Sequence, residues 1–230
     1  MYQVLGPRVL VALAAWLALS IFILAGAFGV LLSLQAIVAI VDVLILTILT
    51  SNYCWRFIWN WTGPLGRWLS RLIYPDLNGT YDVVIESNWP IVKKMLDASR
   101  TKGKLFDPFS LDRPNVDLLE LKLEAKIKQT WFAISMSIYS NDDEAVIGRS
   151  KTLATIPAKI GVEGEKVLIY IFEQENKSRP PTDDPYHEGT GLLRIDPGNH
   201  RILIGEYWNN RAWHRGINTA GKIRLTRRDN

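Results

Sequence analysis

Apolar positions along this chain follow two regimes. From Val9 to Cys54 almost every side chain is apolar, and Asp42 is the one charged residue. A helix rises about 1.5 Å per residue and needs roughly 20 apolar residues to cross about 30 Å of hydrocarbon, so this run is too long for one span and fits two. The break Gly29-Val30-Leu31-Leu32-Ser33 divides it into predicted spans at Val9 to Phe28 and Leu34 to Tyr53. So short a connection makes the two helices antiparallel neighbours. Arg8 precedes the first, Arg56, Arg67 and Arg71 follow the second, and the turn carries no Lys or Arg, which places both chain ends on the cytoplasmic side. A cleaved signal peptide is the competing reading, because Ala25, Gly26 and Ala27 close the first apolar run. A signal core is only roughly 7 to 15 residues long, however, and here a second full helix follows.

After the second span, Trp55, Phe57, Trp59 and Trp61 supply the rings expected among lipid headgroups. The segment Pro64 to Ile73 then opens with a helix-favouring proline and spaces Leu65, Trp68, Leu69 and Leu72 on one face against Arg67 and Arg71, as an interfacial helix does; packing against a downstream domain is the alternative. Three regions follow: a two-helix transmembrane hairpin over residues 1–61, a linker helix over 62–73 and a cytosolic domain over 74–230. Asp42 lies inside the second span, where a charge costs about 2.5–3.5 kcal/mol on insertion scales. Either it meets polar groups of neighbouring subunits, or it is a neutral carboxyl or one that reaches the headgroups.

From Tyr74 onward the periodicity changes to two. Eight runs read as strands: Gly79 to Ser87, Val116 to Ile127, Thr130 to Ser140, Ser150 to Ile160, Lys166 to Gln174, Glu188 to Asp196, Arg201 to Trp208, and Gly221 to Arg227. Turn-forming clusters such as Gly161-Val162-Glu163-Gly164 and Asp196-Pro197-Gly198-Asn199 separate them. Successive short strands with hairpin links predict an eight-stranded up-and-down antiparallel β-barrel, whose closure removes exposed edges and whose interior is wide enough for side chains or one small ligand. A short helix at Pro90 to Arg100 interrupts the first two strands and is placed to cap a barrel mouth.

Charge adds little to this picture. The 27 basic and 23 acidic residues leave a net +4, too weak a bias for a DNA or RNA polymer as partner. Cys54 is the single cysteine, so neither an intrachain disulfide nor a thiolate metal site is expected. No phosphate-binding glycine loop, paired-histidine metal motif or serine elbow is present, and no catalytic residue, metal or cofactor is predicted. His187, His200 and His214 read as isolated surface or mouth histidines, and Asp142-Asp143 and Asp183-Asp184 as solvated turns.

The strand faces carry the candidate chemistry. In the third strand Trp131, Ala133, Ser135, Ser137 and Tyr139 alternate with Phe132, Ile134, Met136 and Ile138, so one face is aromatic and hydroxylated and the other greasy. Tyr81, Val83, Ile85 and Ser87 share a face of the first strand, Tyr170 and Phe172 one of the fifth, and Leu203, Gly205 and Tyr207 one of the seventh. An interior of this kind suits a flat, hydrogen-bonding ligand, since aromatic rings stack on bases for roughly 1–3 kcal/mol each. Asn209, Asn210 and Arg211 then offer amides for base edges and a guanidinium for a phosphate.

Two N-terminal helices followed by Leu77-Asn78-Gly79-Thr80-Tyr81, Gln129-Thr130-Trp131, Tyr170-Ile171-Phe172, His187-Glu188-Gly189-Thr190 and Leu203-Ile204-Gly205-Glu206-Tyr207-Trp208 resemble one family across nearly the whole chain. It is the two-transmembrane β-barrel effectors of bacterial cyclic-oligonucleotide-based antiphage signalling. The resemblance implies a non-enzymatic receptor in the bacterial inner membrane. Its barrel binds a cyclic dinucleotide made by a partner nucleotidyltransferase; the chain then forms a homo-oligomer, and hairpin clustering disrupts the lipid bilayer in an abortive infection. With the inward faces, it marks Tyr81, Ser87, Gln129, Trp131, Ser135, Tyr170 and Tyr207 as ligand contacts, and Asn209, Asn210 and Arg211 join them on their chemistry alone. A membrane-tethered barrel for a lipid or other apolar ligand, and an anchor subunit with a solid core, remain the alternatives.

Overall fold

The structure is a computed structural model that describes residues 4, 7–29, 33–61, 63, 70, 73–107, 117–140, 147–176 and 185–229. The chain divides into two compact units, Met1–Asp76 with Gln129–Ala133, and Leu77–Lys128 with Ile134–Asn230.

The first unit is helical. Helix α1 spans Pro7–Ala27, α2 spans Leu34–Thr50 and α3 spans Asn52–Trp61. Ser33 caps α2, its hydroxyl accepting from the Ala36 N–H at 3.2 Å. Ile37 and Val41, four apart, are the buried positions of α2, so that face packs on its neighbours. Two expectations change here. The second predicted span ran unbroken to Tyr53, but Ser51 has extended backbone that ends α2, and its hydroxyl accepts from the Cys54 N–H at 3.3 Å, starting α3. A serine able to cap a new helix outweighed the continuous apolar pattern. Among the described residues no helix is long and apolar enough to cross a membrane; α2, with 17 residues, is about 26 Å long. The predicted linker helix lies outside the described residues except for Gly63, Ser70 and Ile73.

The second unit is a closed barrel of eight antiparallel strands in sequence order. They are β1 Gly79–Ser87, β2 Leu119–Gln129, β3 Ile134–Tyr139, β4 Ile147–Ile160, β5 Glu165–Asn176, β6 Tyr186–Ile195, β7 Ile202–Asn209 and β8 Ala220–Arg227, with helix α4, Trp89–Arg100, after β1. Pairing of β1 with β8, Tyr81 opposite Arg227 through Ser87 opposite Gly221, closes the ring. So small a barrel needs sharply coiled strands. A Cβ at Gly205 would strike the Leu192 carbonyl and one at Gly221 the Glu86 carbonyl, so glycine permits the backbone approach at both bends. In β4 the register shifts twice, between Ile147 and Arg149 and between Thr152 and Ala154. Near the second shift Thr152 and Thr155 replace ladder bonds with their hydroxyls, one accepting from the Met136 N–H at 2.9 Å, the other donating to the Ile134 carbonyl at 2.5 Å.

Alternation sorts the side chains. Tyr81, Val83, Ile85 and Ser87 all point inward from β1, as do Leu168, Tyr170 and Phe172 from β5. In β3 the expected face is reversed: Ile134, Met136 and Ile138 are buried, while Ser135 is exposed. Trp131 to Ala133 form a turn before the strand, because Thr130 bonds back on itself, its N–H donating to the Ala133 carbonyl at 2.8 Å and its hydroxyl accepting from the Ala133 N–H at 3.0 Å. With Trp131 removed from the strand, the remaining alternation puts the greasy face inside.

Candidate functional site: a cavity in one half of the barrel

The barrel interior is filled at one end and hollow at the other. At the filled end Ala125, Leu193, Leu203 and Leu225 are completely buried, and the Tyr81 hydroxyl donates to the Leu77 carbonyl at 2.8 Å. The hollow end encloses about 310 Å3 between the last turns of β1, β3, β5 and β7 and the first turns of β2, β4, β6 and β8.

Two walls of different chemistry line this cavity. Ile85, Leu119, Leu121, Leu123, Ile138 and Ile147 make one wall apolar. Ile147 and Ser150, three apart, both face inward, since the first shift in β4 lies between them. Tyr170, Phe172 and Tyr207 supply rings, the first two with centroids 5.8 Å apart. Their space comes from β6, where Gly191 and Gly189 stand opposite Tyr170 and Phe172. A Cβ at Gly191 would lie 2.5 Å from the Tyr170 ring, so the missing side chain lets the ring lie flat against the strand. Burial pushes the Tyr170 hydroxyl above its ordinary pKa, and the nearby Tyr207 adds to this. Tyr207 is likewise raised by burial, with a hydrogen bond to Ser87 pulling part of the way back. Both phenols are therefore neutral at physiological pH.

The opposite wall is a buried polar network centred on Asn209. Its Oδ1 accepts from the Thr219 N–H at 2.9 Å and the Arg211 N–H at 3.3 Å, and its Nδ2 donates to Thr219 Oγ1 at 2.8 Å. That fixes the amide orientation, so Nδ2 faces His187 Nε2, 3.4 Å away, while Nδ1 lies on the other side of the ring. The Asn176 amide lies 3.4 Å from that Nδ1 and accepts from Gln174 Nε2 at 2.9 Å. At the rim, the Arg211 guanidinium sits 4.8 Å above the Trp89 ring, at the start of α4. Asn88, which precedes it, ties α4 to β8 by accepting from the Ala220 N–H at 3.0 Å. The arrangement offers flat rings, amide edges and one cation around a cavity open at the rim, and among the described residues no acid-base pair is aimed at a common atom.

Five of the residues marked from sequence meet here: Ser87, Tyr170, Tyr207, Asn209 and Arg211. The others lie elsewhere. Tyr81 plugs the filled end; Ser135 is on the outer face; Asn210 is exposed, its Oδ1 accepting from the Glu188 N–H at 2.9 Å. Gln129 and Trp131 belong to the helical unit, with Gln129 Nε2 donating to the Pro75 carbonyl at 3.2 Å. Asp42 is exposed on α2. Read from sequence as a surface or mouth histidine and not as a ligand contact, His187 is buried in the cavity wall. Its signal was parity: it shares a face with Gly189 and Gly191, but the predicted strand began one residue after it. Gln174 was legible in the same way, two and four residues beyond Phe172 and Tyr170. Among the described residues no group of three or more His, Cys, Asp or Glu could hold a metal ion.

No family model matches the chain. It is similar to CD-NTase-associated protein 15 of Escherichia albertii, 27% identical over 189 residues that cover 82% of this chain and 77% of that protein.

Proposed function

We propose that this protein is a membrane effector of bacterial antiphage immunity. Its barrel receives a cyclic dinucleotide from a partner nucleotidyltransferase, and the occupied chains oligomerise and disrupt the inner membrane through their N-terminal helices. The observation that carries the reading is the cavity itself: Tyr170, Tyr207 and Trp89 for stacking, the His187, Asn209 and Gln174 edges for bases, and Arg211 for a phosphate, within one space of about 310 Å3. The similarity to a CD-NTase-associated protein agrees with it.

The helices support the membrane part of the reading. Large apolar side chains including Trp16, Phe22, Ile23, Val43 and Leu46 face outward from α1 and α2, an exposure that water does not favour. A helix about 26 Å long in about 30 Å of hydrocarbon thins the bilayer around it, and clustering many such helices concentrates that deformation. Asp42 is exposed on α2, and in the clustered helices it meets polar groups of a neighbouring chain. Both chain ends lie on the cytoplasmic side.

A second reading draws on the apolar wall from Leu119 to Ile147, which fits a lipid tail. One experiment separates the two: melting of the full-length chain in detergent against cyclic dinucleotides, mononucleotides and fatty acids. A ligand at a hundred times its Kd stabilises the folded state by about 2.7 kcal/mol. The expected result is a selective rise with one cyclic dinucleotide. A rise with fatty acids alone transfers the cavity to an apolar ligand.

A further inference from the structure

The turn between β2 and β3 belongs to two bodies at once. It is covalently part of the barrel, yet Gln129–Ala133 packs as part of the helical unit. The Trp131 ring is 7% exposed and meets Trp59 of α3 edge to face, with centroids 5.8 Å apart and planes at 82°. Trp59 is itself held, its Nε1 donating to the Tyr74 carbonyl at 2.8 Å, and Tyr74 is fully buried. The neighbouring Gln129, also fully buried, bonds the Pro75 carbonyl. One side of this cluster is further fixed by the ion pair of Arg56 and Asp76 at 3.1 Å.

Two features mark this as more than a packed tryptophan. Trp131 Nε1 is buried without a hydrogen-bond partner among the described residues, although buried indole N–H groups ordinarily find one. The turn is also stiff, since the Thr130 hydroxyl accepts from both the Phe132 and Ala133 N–H groups, at 3.2 and 3.0 Å. Movement of β2 therefore reaches Trp131 instead of being absorbed in a loose loop. That strand supplies Leu119, Leu121 and Leu123 to the cavity wall, and about 20 Å of it separate Leu123 from Gln129.

We infer that Trp131 is the positioning residue through which occupancy of the barrel cavity acts on the N-terminal helices. The inference rests on the proposed receptor function. A ligand pressing on the Leu119 to Leu123 wall shifts β2, and the stiff turn delivers that shift to Trp59. Coupling of this kind requires that the two states of the Trp131 and Trp59 contact differ in free energy, and it is lost when the contact is removed.

The test uses the full-length chain reconstituted in vesicles of phosphatidylethanolamine and phosphatidylglycerol, with two readouts: affinity for the cyclic dinucleotide that raises the wild-type melting temperature, and ligand-dependent release of an entrapped dye. Trp131→Ala is expected to bind within about twofold of wild type while dye release falls by about tenfold or more, and Trp59→Ala to behave alike. Combining the two is expected to cost no more than either alone, the signature of a shared contact. Trp131→Phe, which keeps a ring at the site, guards against a folding defect and is expected to recover part of the release. Wild-type release from Trp131→Ala, or loss of binding in parallel with release in both Trp131 variants, overturns the inference. A wild-type chain that binds no cyclic dinucleotide overturns the functional reading, and the coupling with it.

Discussion

The filled and hollow ends of the barrel are made by the same strands with the same inward alternation. At the filled end the inward positions of neighbouring strands are Leu193, Leu203 and Leu225, whose branched side chains meet at the axis. At the hollow end the equivalent positions on β6, β7 and β8 are Gly191, Tyr207 and Gly221. Glycine removes volume on one strand so that a ring can lie against the wall on the next. A cavity in a small barrel is thus produced by pairing absent side chains with flat ones, not by widening the sheet. Apart from Gln129 and the Tyr81 hydroxyl, each bonded to a backbone carbonyl, the buried polar side chains gather at the hollow end, where an incoming ligand can share their hydrogen bonds; an unshared polar group at the filled end would be costly.

The largest effect is expected from removing volume at the filled end. Leu203→Ala should cost about 2–5 kcal/mol in chemical unfolding, whereas Leu121→Ala, which borders existing empty space, should cost clearly less. Equal costs would mean that the hollow end collapses in solution. Gly191→Ala attacks the contrast from the other side: its Cβ would lie 2.5 Å from the Tyr170 ring, which must swing into the cavity. A loss of about 1–3 kcal/mol is expected, with ligand-induced stabilisation abolished. Asn209→Leu strands the Thr219 and Arg211 N–H groups and should cost about 1–3 kcal/mol, reporting whether the polar wall is also structural. Arg211→Ala should leave the melting temperature near wild type and weaken cyclic dinucleotide binding about 10- to 100-fold, as expected for one charged hydrogen bond.

The smallest effect at neutral pH comes from Tyr170. Its hydroxyl stays protonated in the folded barrel at pH values where the unfolded chain, titrating near 10.0, releases the proton. Stability is therefore unaffected below about pH 10 and falls above it, by up to about 1.4 kcal/mol per pH unit for one such group. Tyr170→Phe should flatten the alkaline slope of the melting curve. An unchanged slope would assign alkaline unfolding to other groups.

Much of the barrel was legible because a strand's alternation is local. β1 has the predicted bounds, β7 is shifted by one residue at each end, and β8 starts one residue earlier than predicted. The inward faces of β1, β5 and β7 followed from parity alone. Where parity failed, a local hydrogen bond had intervened. Thr130 closed a turn that took Trp131 out of β3, and Ser51 capped a new helix inside an apolar run. Both signals were present as residues, yet each competed with a longer hydrophobic pattern, and nothing local says which prevails.

By itself, then, the sequence determined the number and order of the strands, their closure into an antiparallel barrel, and the partition into an apolar helical region and a β region, because all of these depend on periodicity and turn chemistry within a few residues. Tertiary structure alone decided where the interior is empty, which of the marked residues share the cavity, and that His187 joins Asn209 and Gln174 in its wall. These outcomes depend on residues brought opposite one another by register. The first shift in β4, which turns both Ile147 and Ser150 inward, and the glycines that yield to the rings across from them, acquire their meaning only once the ring of strands is closed.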